Sequence, residues 1–279
     1  MSAGRNGGLD QELPSLNGSL AEGEASLDLN AAGILLEQTR AIAELYLQEE
    51  DWNRVEEVWL EERHAERSTR GSARRTFVVI RSRLQQAGGG LPPLRHLPGI
   101  LDACRKDRDR HQVLYCYLVA DDGLFRYVLH EQLRRLARGS IEQLEFADAA
   151  IDDLLTDFRF DTGAPLDAAE STRGRWAKGY RSVLRSIGVI PSKQSMTAEI
   201  PSIGDIPLEV AAYWSWQTHG DEWLVHPTGW RYLFQPEPFW EPQSQRLTRS
   251  TRWTSHQAHG RRWYEPADDF HARLAGAEG

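Results

Sequence analysis

An all-α fold is predicted for this chain, on three observations. Apolar residues recur at helical spacing from about residue 31 to about residue 190. The breaks between these stretches are helix-ending ones: Gly88-Gly89-Gly90 with Pro92-Pro93, Gly139-Ser140, Thr162-Gly163-Ala164-Pro165, and Gly188 ahead of Pro191. Composition changes only after Pro191, where residues 200–279 hold Trp214, Trp216, Trp223, Trp230, Trp240, Trp253 and Trp263 among many prolines. The organisation expected is a disordered N-terminal arm over 1–30, an N-terminal three-helix subdomain over 31–90, a C-terminal helical subdomain over 91–192, and a Trp/Pro-rich extension over 193–279, irregular or partly β.

The arm reads as disordered because it is polar, rich in glycine and free of aromatics. A first helix follows from Ile34, Leu35, Ile42, Leu45 and Tyr46. Asp51 can cap a second, in which Trp52, Val55 and Trp59 share one side and Glu56, Glu57, Glu61 and Glu62 the other. A third starts near Ser68 or Thr69 and runs to Gln86, with Ala73, Phe77, Ile80 and Leu84 on one face and Arg70, Arg74 and Arg81 in a stripe beside them. Helices are then expected over 94–106, 110–120, 122–138, 141–158 and 167–188. In the last, Trp176, Tyr180, Val183, Leu184 and Ile187 oppose Lys178, Arg181 and Arg185.

Charge is segregated along this chain. Acids outnumber bases, 41 to 33, for a net charge of −8. Yet Arg67–Leu101, Ser171–Ala198 and Pro242–Tyr264 contain no acid. The first holds Arg67, Arg70, Arg74, Arg75, Arg81, Arg83 and Arg95; the second Arg173, Arg175, Lys178, Arg181, Arg185 and Lys193; the third Arg246, Arg249, Arg252, Arg261 and Arg262. An acidic protein sorted this way is expected to present local positive surfaces to a polyanion. The plainer alternative is three solvated helix faces paired to acids elsewhere in the fold. A basic third helix in a three-helix unit is also compatible with a helix-turn-helix arrangement.

Catalytic signatures are missing: no Walker-type loop, no dinucleotide fingerprint, no G-x-S-x-G. His256 and His259 form an H-x-x-H without the zincin glutamate, and His219 and His226 are read as hydrogen-bonded or exposed, not as metal ligands. Asp121-Asp122, Asp152-Asp153 and Asp268-Asp269 read as helix starts or surface charge. Cys104 and Cys116 make neither a disulfide framework nor a zinc spacing. With no apolar run of membrane length and no signal core, a cytoplasmic protein without cofactor or metal is expected.

The stretches IAELYLQEEDWNRVEEVWLEE, STRGSARRTFVVIRSRL and STRGRWAKGYRSVLRSIGVI, in that order over residues 31–192, resemble the BrxA family of BREX phage-defence accessory proteins. The resemblance implies a NusB-like helical bundle and double-stranded DNA binding without catalysis, alongside other BREX proteins. It carries over Arg70, Arg74, Arg75, Arg81 and Arg83 from the first basic motif, and Arg173 and Arg185 from the second. Lys178 and Arg181 join them from the helix pattern. The glycine-rich arm and the Trp-rich extension depart from the family pattern. RNA binding, or a scaffold role docking onto acidic partner proteins, are the rival expectations. Oligomeric state is left open.

Overall fold

A computed structural model describes residues 13–29, 33–62, 69–85, 89–138, 144–258 and 261–276. The helices are α1 (Leu36–Glu49), α2 (Trp52–Glu62), α3 (Arg70–Gln85), α4 (Leu97–Ala103), α5 (Asp107–Asp121), α6 (Gly123–Arg138), α7 (Asp148–Asp157) and α8 (Glu170–Ser186). They continue with α9 (Asp205–His219), α10 (Thr228–Tyr232) and α11 (Trp240–Leu247). An antiparallel hairpin, β1 (Trp253–Ala258) and β2 (Arg261–Pro266), then precedes α12 (Phe270–Leu274). The fold is therefore mostly helical with a small two-stranded sheet near the C-terminus, as the sequence predicts.

Helix starts follow local chemistry. The Asn53 N–H donates to Asp51 Oδ1 (2.9 Å), the Ser72 N–H to Thr69 Oγ1 (3.1 Å) and the Phe125 N–H to Asp122 Oδ1 (3.0 Å). Each bond satisfies one amide that the first helical turn leaves without a partner. Gly188 ends α8 at φ +89°, a left-handed conformation that glycine adopts at little steric cost.

One helix organises the rest. Gln112 to Val119 of α5 are buried at every consecutive position, so this stretch of α5 has no solvent face. A helix apolar all round belongs at the centre of a bundle. α1, α3, α6, α8, α9 and α10 all pack against it. Gln112 is the polar exception, and its amide donates to the carbonyls of Ile187 (3.0 Å) and Ser202 (2.9 Å), joining α5 to the chain beyond α8. Fully buried Trp59, Trp176, Phe77, Phe125 and Tyr180 fill the layers around α5. Burial of such a side chain contributes about 1.5–3 kcal/mol.

Two stretches differ from expectation. Residues 13–29 of the supposed arm are packed, while residues 1–12 and 30 lie outside the described set. Leu20 and Leu29 are buried, the Gly18 N–H donates to Arg159 O (2.8 Å), and Leu20 O accepts from the Asp161 N–H (3.0 Å). Trp176 Nε1 donates to Ser26 O (3.2 Å). A composition poor in aromatics predicted disorder, but two leucines and a run of backbone partners hold this segment across α6, α7 and α8. The expected helix 141–158 is observed as α7 from Asp148; residues 139–143 are outside the described set.

The Trp-rich extension shares the core instead of hanging from it. α9 lies on α5, and α10 crosses α9 closely enough that a Cβ on Gly229 would stand 2.1 Å from Ala211 O. Trp223 and Trp230 are wholly buried in edge-to-face contact (5.1 Å between centroids). Trp223 Nε1 donates to Tyr264 O (2.9 Å), tying in the hairpin. The hairpin root is pinned by Arg252, whose Nε and Nη2 each donate at 2.7 Å to the Glu209 carboxylate on α9. The C-terminal α12 closes against α4, where the rings of His271 and His96 stack 5.5 Å apart and His271 Nε2 lies 3.1 Å from the Tyr213 hydroxyl.

Two outcomes are expected. Arg252→Ala leaves Glu209, only 3% exposed, without its bidentate partner. Denaturant unfolding should register a loss of about 2–3 kcal/mol, at or below the usual range for a broken buried pair because Arg252 keeps some contact with water. Burial, reinforced by His96 and Arg95, holds His271 down to about 4. The native state therefore binds fewer protons than the unfolded chain between about pH 4 and 6.5, and stability is lost as pH falls through that window. Thermal unfolding of His271→Gln should decline less between pH 7.5 and 5 than that of the parent chain.

Candidate nucleic-acid interface

The basic residues of α3 divide by helical angle. Ala73, Thr76, Phe77, Ile80 and Leu84 face inward. At about 100° per residue, Arg70, Arg81 and Arg74 fall within roughly 40° of each other at the edge of that face. Arg75 lies about 100° beyond Arg74, with Val78 between them. Arg70 and Arg75 are exposed and, among the described residues, make no side-chain hydrogen bond or ion pair. Val78 is 54% exposed in their midst. Arg74 Nε meets Glu56 Oε1 of α2 at 2.9 Å, yet 69% of the Arg74 side chain stays in water, where such a pair contributes little. The Arg81 guanidinium sits 5.7 Å from the centre of the Trp52 ring, which rests 4.4 Å from Tyr46.

Arg83 does not belong to this surface. It is 6% exposed, on the side of α3 opposite Arg74, and faces Asp122 and Asp121 at the α5–α6 junction. Burial lowers its pKa, offset in part by those two carboxylates. Burial likewise pushes Asp122 up to about 6 against the pull of the Phe125 N–H and Arg83. Ser82 Oγ donates to Asp121 Oδ1 (2.9 Å), and Arg126 Nη1 donates to the Val119 and Ala120 carbonyls (2.9 Å each). Arg83 is thus an interior charge near the α5–α6 junction, and its expected contact with a ligand at the surface is corrected.

α8 divides in the same way. Arg173 donates through Nε to Asp152 Oδ1 (2.7 Å), through Nη2 to Oδ2 (3.3 Å) and through Nη1 to Ala168 O (2.8 Å). The Asp152 hydrogen bond raises its pKa. Arg181 donates to Asp148 Oδ1 (3.1 Å) and to the Ser195 carbonyl (3.0 Å). These two arginines clamp α8 to α7 and to the loop after α8, so for them the alternative of pairing with acids elsewhere in the fold is the observed one. Lys178 is exposed and unpaired among the described residues, and Arg185 is half-buried with Nη2 on Ser182 Oγ (3.2 Å). Arg175, left out of the expected set, is exposed about 60° round from Lys178 and completes the outer face. Its distance from the apolar face on a helical wheel was the available signal.

α3 and α8 both lean on α5, so the protein presents two basic strips on separate helices. The first comprises Arg70, Arg74, Arg75 and Arg81; the second Arg175, Lys178 and Arg185. Guanidinium groups on an exposed helix face can donate paired hydrogen bonds to phosphate oxygens. Glu56 of α2 borders the first strip, and Asp148 and Asp152 the second. Among the described residues no group of three or more His, Cys, Asp or Glu converges as a metal site, and no helix is long and apolar enough to cross a membrane.

The division into structural and exposed bases predicts opposite responses to substitution. Arg181→Ala should lower the melting temperature by loosening α7 and the loop after α8, whereas Arg70→Ala should leave it within about 1 °C, the usual range for an unpaired surface residue. Thermal unfolding followed by circular dichroism checks both.

A family model described as BrxA matches residues 26–203, the span that includes α1 to α8 and both basic strips. α9 to α12 and the hairpin lie beyond the match. Neither curated proteins nor solved structures gave a match.

Proposed function

From the chain's membership of the BrxA family, an accessory family associated with BREX phage defence, we propose that it is a cytoplasmic, non-enzymatic double-stranded DNA-binding component of such a system. The observation that carries this reading is the outer face of α3. Among the described residues Arg70 and Arg75 have no side-chain partner there, and Arg74 and Arg81 have an exposed ion pair and a ring contact. Guanidinium groups in that state can exchange a weak partner for a phosphate at small cost. α8 supplies a second grip through Lys178 and Arg185, with Arg175 beside them. Most contacts of this kind go to the backbone, so affinity is expected with little sequence readout. In the helix-turn-helix variant of this reading, α3 enters a groove.

A rival reading keeps the same face and changes the ligand. Val78, exposed among the arginines, offers an apolar contact that suits an acidic partner protein of the defence complex. Salt separates the two, because packed apolar contacts survive screening that phosphate contacts do not.

Binding to a short labelled duplex across a salt series is the test, with RNA of matched length as competitor. With about six phosphates neutralised, affinity should fall roughly 10³-fold between about 50 and 200 mM salt. Reversing Arg70, Arg74 and Arg81 to Glu should abolish the duplex complex with helical content retained. A flat salt response, or an undiminished complex in the triple variant, overturns this assignment of α3.

A further inference from the structure

One side of α2 lies against α3, and the residues on that side bear on the α3 strip. Trp59 Nε1 donates to Ala73 O (3.0 Å) in the buried seam and fixes how the two helices meet. Trp52 and Glu56, seven and three residues before Trp59, fall within about 60° of it around α2. They reach the same neighbour. Glu56 Oε1 meets Arg74 Nε at 2.9 Å, and the Arg81 guanidinium lies 5.7 Å from the centre of the Trp52 ring. The order Trp59, Glu56, Trp52 on α2 thus matches Ala73, Arg74, Arg81 on α3, as in an antiparallel pair.

These two contacts act in opposite directions. Glu56 gives Arg74 a carboxylate before any ligand arrives. Its side chain is 21% exposed, so it can return to water when the pair opens, but its charge stays beside whatever anion replaces it. Trp52 offers Arg81 a ring and no anion. That ring is itself seated, 4.4 Å from Tyr46 and 6.3 Å edge-on from Phe77. It restricts the guanidinium by a cation–π contact, and among the described residues Arg81 has no side-chain hydrogen bond or ion pair.

We propose that α2 sets the affinity of the α3 strip for phosphate: Glu56 is an internal competitor that a phosphate must displace from Arg74, and Trp52 is a positioning residue that holds Arg81 ready for one. The inference rests on the nucleic-acid reading given above and names what tunes it. A lone carboxylate would replace Glu56 like for like and gain little. A nucleic-acid backbone brings closely spaced phosphates that meet Arg70, Arg75 and Arg81 at the same time, so it can open the pair where a single acid cannot. Glu56 thereby discriminates against weak anions through the charge it keeps at the site.

Affinity for a labelled blunt duplex at fixed salt is the measurement, made on the full chain and its variants. Glu56→Gln should bind roughly two- to fivefold tighter than the parent, the range for an exposed ion pair. Glu57→Gln makes the same change of net charge but removes the partner of Arg54 on α2 itself, and should gain clearly less. Trp52→Leu should bind roughly two- to fivefold more weakly, with Trp52→Phe keeping most of the affinity. The Glu56→Gln gain should vanish in an Arg74→Ala background, and the Trp52→Leu loss in an Arg81→Ala background, because each acts through its arginine. The proposal is overturned if Glu56→Gln binds no tighter than the parent, if Glu57→Gln gains as much, or if Trp52→Leu binds as the parent does. It is also overturned if either effect persists in full once its arginine is removed, the mark of a general charge or folding effect. A parent chain without salt-dependent duplex binding sinks the function proposed above and this inference with it; parent binding with an unresponsive Glu56→Gln sinks this inference alone.

Discussion

The burial of Gln112 to Val119 of α5 on every side is the constraint from which the other positions follow. A helix without a polar face must be covered all round. α3, α8 and α9 each supply part of that cover, each turning an apolar stripe inward. Covering α5 therefore leaves the flanks and far sides of α3 and α8 toward water, and the exposed bases of both helices lie there. The basic strips are a geometric consequence of how the core is closed.

The same geometry explains why bases of one helix differ so much in state. Arg83 lies about 180° round the helix from Arg74 and is drawn inside, where Asp121 and Asp122 moderate the cost of its charge. Arg173 and Arg181 stand on the flank of α8 that meets α7, within reach of Asp152 and Asp148. Arg70, Arg75 and Lys178 lie beyond any neighbouring element that is described. An acid-free stretch of sequence thus contains interior charges, interhelical clamps and free surface cations. Only the last are available to a ligand without disturbing the fold.

The extension adds to the bundle without standing apart from it. α9 lies directly on α5, and the paired Arg252 and Glu209 carry that rigidity out to the hairpin. The part that matches the family is thereby joined to a firmly anchored C-terminal extension. That anchoring distinguishes the hairpin from a loosely tethered tail.

Much of the fold was legible in the chain itself. The period of Ala73, Phe77, Ile80 and Leu84 gave α3 and its inward face; that of Trp176, Tyr180, Val183 and Leu184 gave α8; and Asp51, Thr69 and Gly188 marked ends where the backbone needs a cap or a left-handed turn. These are local properties, set by neighbours a few residues away. The packed segment 13–29 was illegible because its partners, around residue 159 and at Trp176, lie far along the chain. The fate of each arginine was likewise undecided, since Asp152 is 21 residues from Arg173 and Asp148 is 33 from Arg181. Sequence by itself determined the helices, their apolar faces and the stretches where positive charge collects. Tertiary structure alone decided which of those charges meet a carboxylate, because an ion pair depends on distance in space and the chain specifies only distance along itself.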